Sequence, residues 1–128
     1  MSMEKSVKKI ESFTDLVVWQ EGHKLVVELY KCTESFPPSE IFGLTNQMRR
    51  CVISITSNIA EGFGRQSYKE KVQFYSIAKG SNLELQNQLL AARDIGYLEK
   101  EVFQKLAEQS VTVGRLLTGL IRKSKEFL

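Results

Sequence analysis

The sequence has little of what interrupts a helix or builds a compact chemical site. Its 128 residues include only 2 Pro and 8 Gly, so long stretches of backbone carry nothing that forces a break. The two cysteines, Cys32 and Cys51, form no Cys-x-x-Cys pair and accompany a single histidine, His23. That argues against a zinc site of ordinary ligand spacing and against a disulfide framework, and it suits a reducing compartment. Long apolar runs are also missing. The uncharged stretch between Arg50 and Glu61 falls well short of the ~20 residues of a membrane span, and the N-terminal MSMEKSVKKIESF lacks the apolar centre of a signal peptide. These absences lead us to expect a soluble, cytoplasmic protein with no membrane partner.

What is present is a globular composition, 42% hydrophobic and 26% charged, over the length of one ordinary domain. Such a chain buries enough apolar surface to fold without metal or disulfide. We expect a flexible N-terminal extension over 1–13 and one domain over 14–128. The net charge is +3 and the sequence pI about 8.9. The surplus is uneven: Met1–Gly64 carries a net −1 and Arg65–Leu128 a net +4. A mildly basic second half points towards an anionic partner.

Apolar residues recur at helical spacing in four segments. Asp15–Thr33 places Val18, Trp19, Leu25, Val26, Leu29 and Tyr30 on one arc, and Phe36-Pro37-Pro38-Ser39 ends it. A second helix runs from Leu44 to Phe63 and stops at Gly62-Phe63-Gly64, where glycine can take a left-handed cap. A capping box, Ser67-Tyr68-Lys69-Glu70, opens a third helix that ends at Gly96. The fourth starts near Glu99 and Glu101 and carries Arg122, Lys123 and Lys125 in its last turns. Short connections make neighbours antiparallel, so the predicted fold is all-α, an up-down-up-down four-helix bundle.

Two of these helices have more apolar surface than one core requires. The third shows one stripe of Phe74, Ile77, Ala78, Leu85, Leu89, Ala92 and Ile95 and another of Tyr68, Val72, Tyr75, Leu83 and Leu90. The second spreads Leu44, Met48, Cys51, Val52, Ile55, Ile59, Ala60 and Phe63 over a wide arc. The second stripe of helix three is a candidate self-association surface; the alternative is that a tightly wrapped monomer buries both. Opposite the apolar arc of helix two lies a polar stripe of Gln47, Arg50, Ser54, Ser57, Asn58 and Glu61, which reads either as a hydrogen-bonding seam or as a solvated face. In the first case Arg50 would pair with Glu61 of a neighbouring copy or with Glu84 on helix three.

Catalysis finds little support. No Glu-x-x-His pair exists for a di-iron site, and Gly62-Phe63-Gly64-Arg65 follows a helix and lacks the Lys-Ser/Thr of a phosphate loop. His23, on the apolar arc of helix one, reads as a packed structural residue. We expect no catalytic residues, cofactor or metal.

Several runs are familiar as a set: Phe13-Thr14-Asp15-Leu16-Val17-Val18-Trp19-Gln20, Phe36-Pro37, Glu40-x-Phe42-Gly43-Leu44, Gln47-Met48-Arg49-Arg50, Ser57-Asn58-Ile59-Ala60-Glu61-Gly62, Arg65-x-Ser67, and Ile77-Ala78-Lys79-Gly80-Ser81 followed by Glu84-Leu85. Over roughly Phe13–Leu98 the chain resembles the 23S rRNA intervening-sequence protein family, also called the four-helix bundle proteins. One departure is Thr56, where many members carry proline, which implies a straighter second helix here. The resemblance implies a closed homo-oligomer, commonly a pentamer, with no enzymatic activity. It also implies an accessory role that binds RNA or DNA, in some relatives beside the reverse transcriptase of a diversity-generating retroelement. The candidate phosphate contacts are Arg49, Arg50, Arg65, Lys69 and Lys71 around the turn between helices two and three, and Arg122, Lys123 and Lys125 near the end of helix four. Aromatic residues interleaved with these cations are thin in the sequence. The competing reading is a scaffold that binds a partner protein without touching nucleic acid.

Overall fold

The four amphipathic segments become four helices: α1 (Val17–Thr33), α2 (Leu44–Gly64), α3 (Tyr68–Ile95) and α4 (Lys100–Lys125). The structure, a computed structural model, describes residues 9–128. Among the described residues there is no strand, and no helix is long and apolar enough to cross a membrane. The first segment begins differently from expectation. Phe13–Asp15 forms a single 3-10 turn held by a capping box, in which the Asp15 carboxylate accepts the Ser12 N–H (3.1 Å) and the Ser12 hydroxyl accepts the Thr14 N–H (3.2 Å). Phe13 packs edge-on against Trp19, so the last residues of the expected 1–13 extension belong to the fold. Residues 1–8 lie outside the described residues.

Each helix is started and stopped by local chemistry. Pro38–Glu40 forms a second 3-10 turn, and the Glu40 carboxylate reaches forward to accept the Leu44 N–H at the start of α2 (3.0 Å). Ser67 caps α3 by accepting the Glu70 N–H (3.1 Å), while Glu70 turns towards Arg65 and leaves the box half made. Gly96 takes the left-handed conformation, φ +100°, with the Tyr97 N–H returning to Ala92 O (2.8 Å) as the sequence predicts. The end of α2 departs from prediction: Gly62 and Gly64 are both helical, and no glycine there has positive φ. Its last carbonyls are met instead by the Lys71 ammonium, 2.7 Å from Phe63 O and 3.4 Å from Gly62 O. Gly62 is present for space. A Cβ there would stand 2.7 Å from Cε1 of Tyr75.

Cross-helix contacts fix the topology. Cys51 and Ser54 meet Ser81 and Lys71 meets Phe63; Asn82 meets Ser110 and Tyr68 meets Phe127; Arg49 meets Thr33 and Thr56 meets Gly22; Lys105 meets Glu28 and Gln109 meets Glu21. In each pair of helices the residue numbers rise on one as they fall on the other, so neighbours are antiparallel. α2 packs on α3, α3 on α4, and α1 on both α2 and α4. The core between them comprises Leu25, Leu29, Met48, Val52, Ile55, Ile59, Leu85, Leu89, Leu106, Val113 and Leu117, all essentially without exposure. The wide apolar arc of α2 is therefore absorbed within one chain, because α2 is gripped from two sides. Thr56 sits in an unbroken α2, its methyl against Gly22 of α1.

The stripes of α3 are redistributed. Tyr75, assigned to the outward stripe, is buried against Gly62, whereas Ile77 and Ile95 of the supposed inner stripe are exposed. The buried arc runs through Tyr75, Ala78, Asn82, Leu85, Gln88, Leu89 and Ala92. It is wide because α2 and α4 flank it. Leu83 (57% exposed), Leu90 (44%) and Tyr68 remain outward and Val72 half-buried, so an apolar outer stripe exists without Tyr75.

Candidate nucleic-acid interface

The up-down topology brings the end of α2, the start of α3 and the end of α4 to one end of the bundle, which we call the basic end. Three of the predicted phosphate contacts are half-buried and already engaged within the chain. Arg49 lies at the opposite end, where its Nε donates to Thr33 Oγ1 (2.9 Å), an Nη donates to Tyr30 O (3.4 Å), and its guanidinium covers the Tyr30 ring at 4.8 Å. Arg65 donates to Glu61 (2.8 Å), approaches Glu70 (3.9 Å) and lies over Phe74 at 4.7 Å. Lys71 is the cap of α2, and burial pulls its ammonium below the usual lysine range. Arg49 and Lys71 are bound to partners that helical spacing in the sequence does not place beside them, whereas Arg65 and Glu61 stand at the i,i+4 spacing of neighbours on a helix.

The other five stay outside. Arg50, Lys69, Arg122, Lys123 and Lys125 are exposed and make no ion pair among the described residues. Arg50 stands apart on the outer face of α2, while the remaining four crowd the basic end, with Glu126 the acid next to them in sequence. The aromatic residues that looked thin in sequence converge there. Tyr68, opening α3, stacks on Phe127, just past α4, with centroids 4.7 Å apart and planes 21° apart. The Lys71 ammonium lies 5.9 Å from the Tyr68 centroid and 5.5 Å from that of Phe63. Tyr68 and Phe127 are 59 positions apart in sequence, and only the antiparallel return of α4 along α3 joins them. A helical-wheel count of the last turn of α4 against the first of α3 is the one signal that would have found the pair.

The polar stripe of α2 splits between its two readings. Ser54 shares a hydrogen bond with Ser81 Oγ (2.9 Å), and the Asn58 amide donates to Ser54 O (2.8 Å) and Oγ (3.1 Å), so these two form a seam against α3. Gln47, Arg50, Ser57 and Glu61 face solvent. Within the chain Glu61 pairs with Arg65. Glu84 sits beside Cys51, about 15 Å from Glu61 along α2, so the two carboxylates form no pair. Burial, then the Glu84 charge, pushes the Cys51 thiol up to about 12; burial, then Glu28, pushes Cys32 up to about 11. Neither is a nucleophile near neutrality. His23 is exposed and stacked on Trp19 (4.7 Å) rather than packed in the core. Among the described residues no three His, Cys, Asp or Glu side chains come together as a metal site.

Along the side of the bundle, α3 and α4 leave two shallow grooves. The larger, about 780 Å³, is lined by Phe103, Ala107 and Val111 with Arg93, Lys100 and Arg115 at its margins. The smaller, about 420 Å³, runs from Leu83 past Gly114 and Gly119 to Arg122.

A family model described as 23S rRNA-intervening sequence protein matches residues 14–119. A crystal structure of a protein of unknown function from the S23 ribosomal protein family of Bacteroides thetaiotaomicron superposes with a TM-score of 0.77 at 21% identity, over 83% of this chain and 96% of the other. At that identity the likeness is one of fold. No curated protein matches the sequence.

Proposed function

Because the chain belongs to the 23S rRNA-intervening sequence protein family, we propose that it is a nonenzymatic, self-associating accessory that binds RNA or DNA through the basic end of its bundle. The observation carrying this reading is the gathering of Lys69, Arg122, Lys123 and Lys125, none engaged in an ion pair among the described residues, around an exposed aromatic pair. Such cations bind phosphate and release counterions, which makes affinity fall steeply with salt. Self-association enters through the outer stripe: Val72, Leu83 and Leu90 of α3 beside the grooved face of α4. The opposite side of the bundle carries its own exposed apolar residues, Val27, Tyr30 and Ile53. Two different patches on opposite faces favour head-to-tail contacts, which close into a ring when the rotation permits. A closed pentamer would multiply the net charge of +3 fivefold and set five basic ends around one rim. A reverse transcriptase is one protein partner that such a ring would serve.

The same outward leucines support a second reading, a scaffold that binds a partner protein and leaves nucleic acid to it. Titrating the purified protein with structured RNA at several salt concentrations, with mass followed by light scattering, separates the two. An oligomer whose affinity falls steeply with salt supports the first. An oligomer with no RNA affinity, and none when the titration is repeated with DNA, favours the scaffold.

A further inference from the structure

Resting on the nucleic-acid reading of the basic end, we infer that the Tyr68–Phe127 pair is a stacking platform for an unpaired base, so that the preferred ligand is single-stranded polynucleotide rather than duplex. The stack is layered. The Lys71 ammonium, pinned to Phe63 O at 2.7 Å, lies near the Tyr68 ring, and Phe127 stacks on Tyr68 as the outermost ring, 58% exposed. A flat aromatic ring held by stacking on its neighbour and more than half exposed receives another flat ring at little entropic cost, and every base has such a face. Lys69 and Lys125 stand in the adjoining first turn of α3 and last turn of α4, suited to the phosphates on either side of a stacked base. Bases within a duplex are already stacked and paired, so the platform adds nothing to duplex binding.

An anionic membrane is the other partner that exposed aromatic and basic groups suit. The chemistry here favours polynucleotide. A surface-lying helix needs a broad apolar face, and that of α4 is spent on the core through Leu106, Val113 and Leu117.

The test measures affinities of the full chain for a fluorescently labelled single-stranded RNA, the single-stranded DNA of the same sequence, and the RNA duplex, at low and moderate salt. We expect both single strands to bind tighter than the duplex. Phe127→Ala should weaken single-strand binding about tenfold, leave duplex binding unchanged and keep the slope of affinity against salt. Phe127→Trp should restore the affinity, and its emission should be quenched when a base stacks on it. Equal affinity for single strand and duplex, with Phe127→Ala silent in both, overturns the platform while leaving the basic end intact. Absence of salt-dependent binding to any probe overturns both readings. Binding to vesicles rich in anionic lipid that Phe127→Ala abolishes, without polynucleotide binding, reassigns the pair to a membrane. Phe127 lies outside the core, so Phe127→Ala should lower the stability read by thermal unfolding by no more than the stack itself contributes, and Phe127→Trp by less.

Discussion

The two ends of the bundle use the same kinds of residue in opposite ways. At the end holding the α1–α2 and α3–α4 connections, polar and aromatic groups are bound to one another. Tyr97 donates to Glu40 Oε2 at 2.8 Å and packs on Phe36, Glu40 caps α2, and Arg49 is tied to Thr33 and Tyr30. At the basic end, the α2–α3 turn consumes Arg65 and Lys71 but leaves Lys69 and the last cations of α4 facing water. A cation's sequence neighbourhood therefore says little about its availability. What decides is whether the fold supplies an acceptor beside it.

The comparison can be broken most forcefully by reversing charge at the free end. Arg122→Glu, Lys123→Glu and Lys125→Glu together should lower RNA affinity about a hundredfold at low salt and flatten the salt dependence by about two to three in slope. Thermal stability should fall modestly, because three acids in the last turn of α4 oppose the helix dipole at about 0.3–1 kcal/mol each, so affinity is compared at a temperature where the variant is folded. If affinity survives the triple reversal, the basic end is not the contact.

The next effect is on stability. Gly62→Ala would drive a methyl into Tyr75 and should cost about 1–3 kcal/mol, read by urea unfolding. Asn82→Ala belongs to the same range. It leaves Ser110, which donates to Asn82 Oδ1 (2.8 Å) and accepts Gln86 Nε2 (3.0 Å), short of a partner in the core, at about 1–3 kcal/mol.

Arg49→Gln sharpens the contrast between the ends. It should cost about 1 kcal/mol through lost hydrogen bonds and the Tyr30 contact, and RNA affinity should stay unchanged. A drop in RNA affinity comparable to that of the triple variant would contradict the division.

The smallest effect is a pH signature of the closed end. Hydrogen bonds from the Leu44 N–H and then the Tyr97 hydroxyl hold the Glu40 carboxyl below its ordinary 4.5, and the same bond to Glu40 raises the Tyr97 hydroxyl above its ordinary 10.0. A lowered carboxyl contributes stability that is complete above 4.5 and disappears as pH falls through the folded value. A raised phenol contributes stability that is complete below 10.0 and disappears as pH rises through the folded value. The melting temperature should thus show a plateau between these limits. Glu40→Gln should reduce the acid-side fall, and an unchanged acid limb in that variant would place the titration elsewhere.

Much of the fold was legible because helical periodicity and punctuation act locally. The stops at Pro37-Pro38 and Gly96 and the Ser67 cap depend on a few adjacent residues; the stops stand as read, and of the capping box the Ser67 half does. What required the third dimension was partnership. Nothing near Lys71 in sequence announces that its ammonium would close α2, and nothing near Tyr75 shows that Gly62 makes room for its ring. The breadth of the buried arc on α3 depends on having two neighbours. Counting one core for each helix therefore misassigned Tyr75 outward and Ile77 and Ile95 inward. The candidate site was half visible: the free cations could be named, but Tyr68 and Phe127 form a pair only once α4 has folded back along α3.

The polar contact of Asn82 with Ser110 also bears on motion. The Asn82 amide donates to Ser110 O (2.9 Å), and its nitrogen would stand 3.1 Å from a Cβ at Gly114. Sliding α4 by one turn, about 5.4 Å, would strand these groups in an apolar interior and bring a side chain against the amide. α3 and α4 are thereby geared like a tooth in its notch. Any rearrangement on assembly would have to carry this pair of helices as one stiff lever, and the Tyr68–Phe127 stack would move with it.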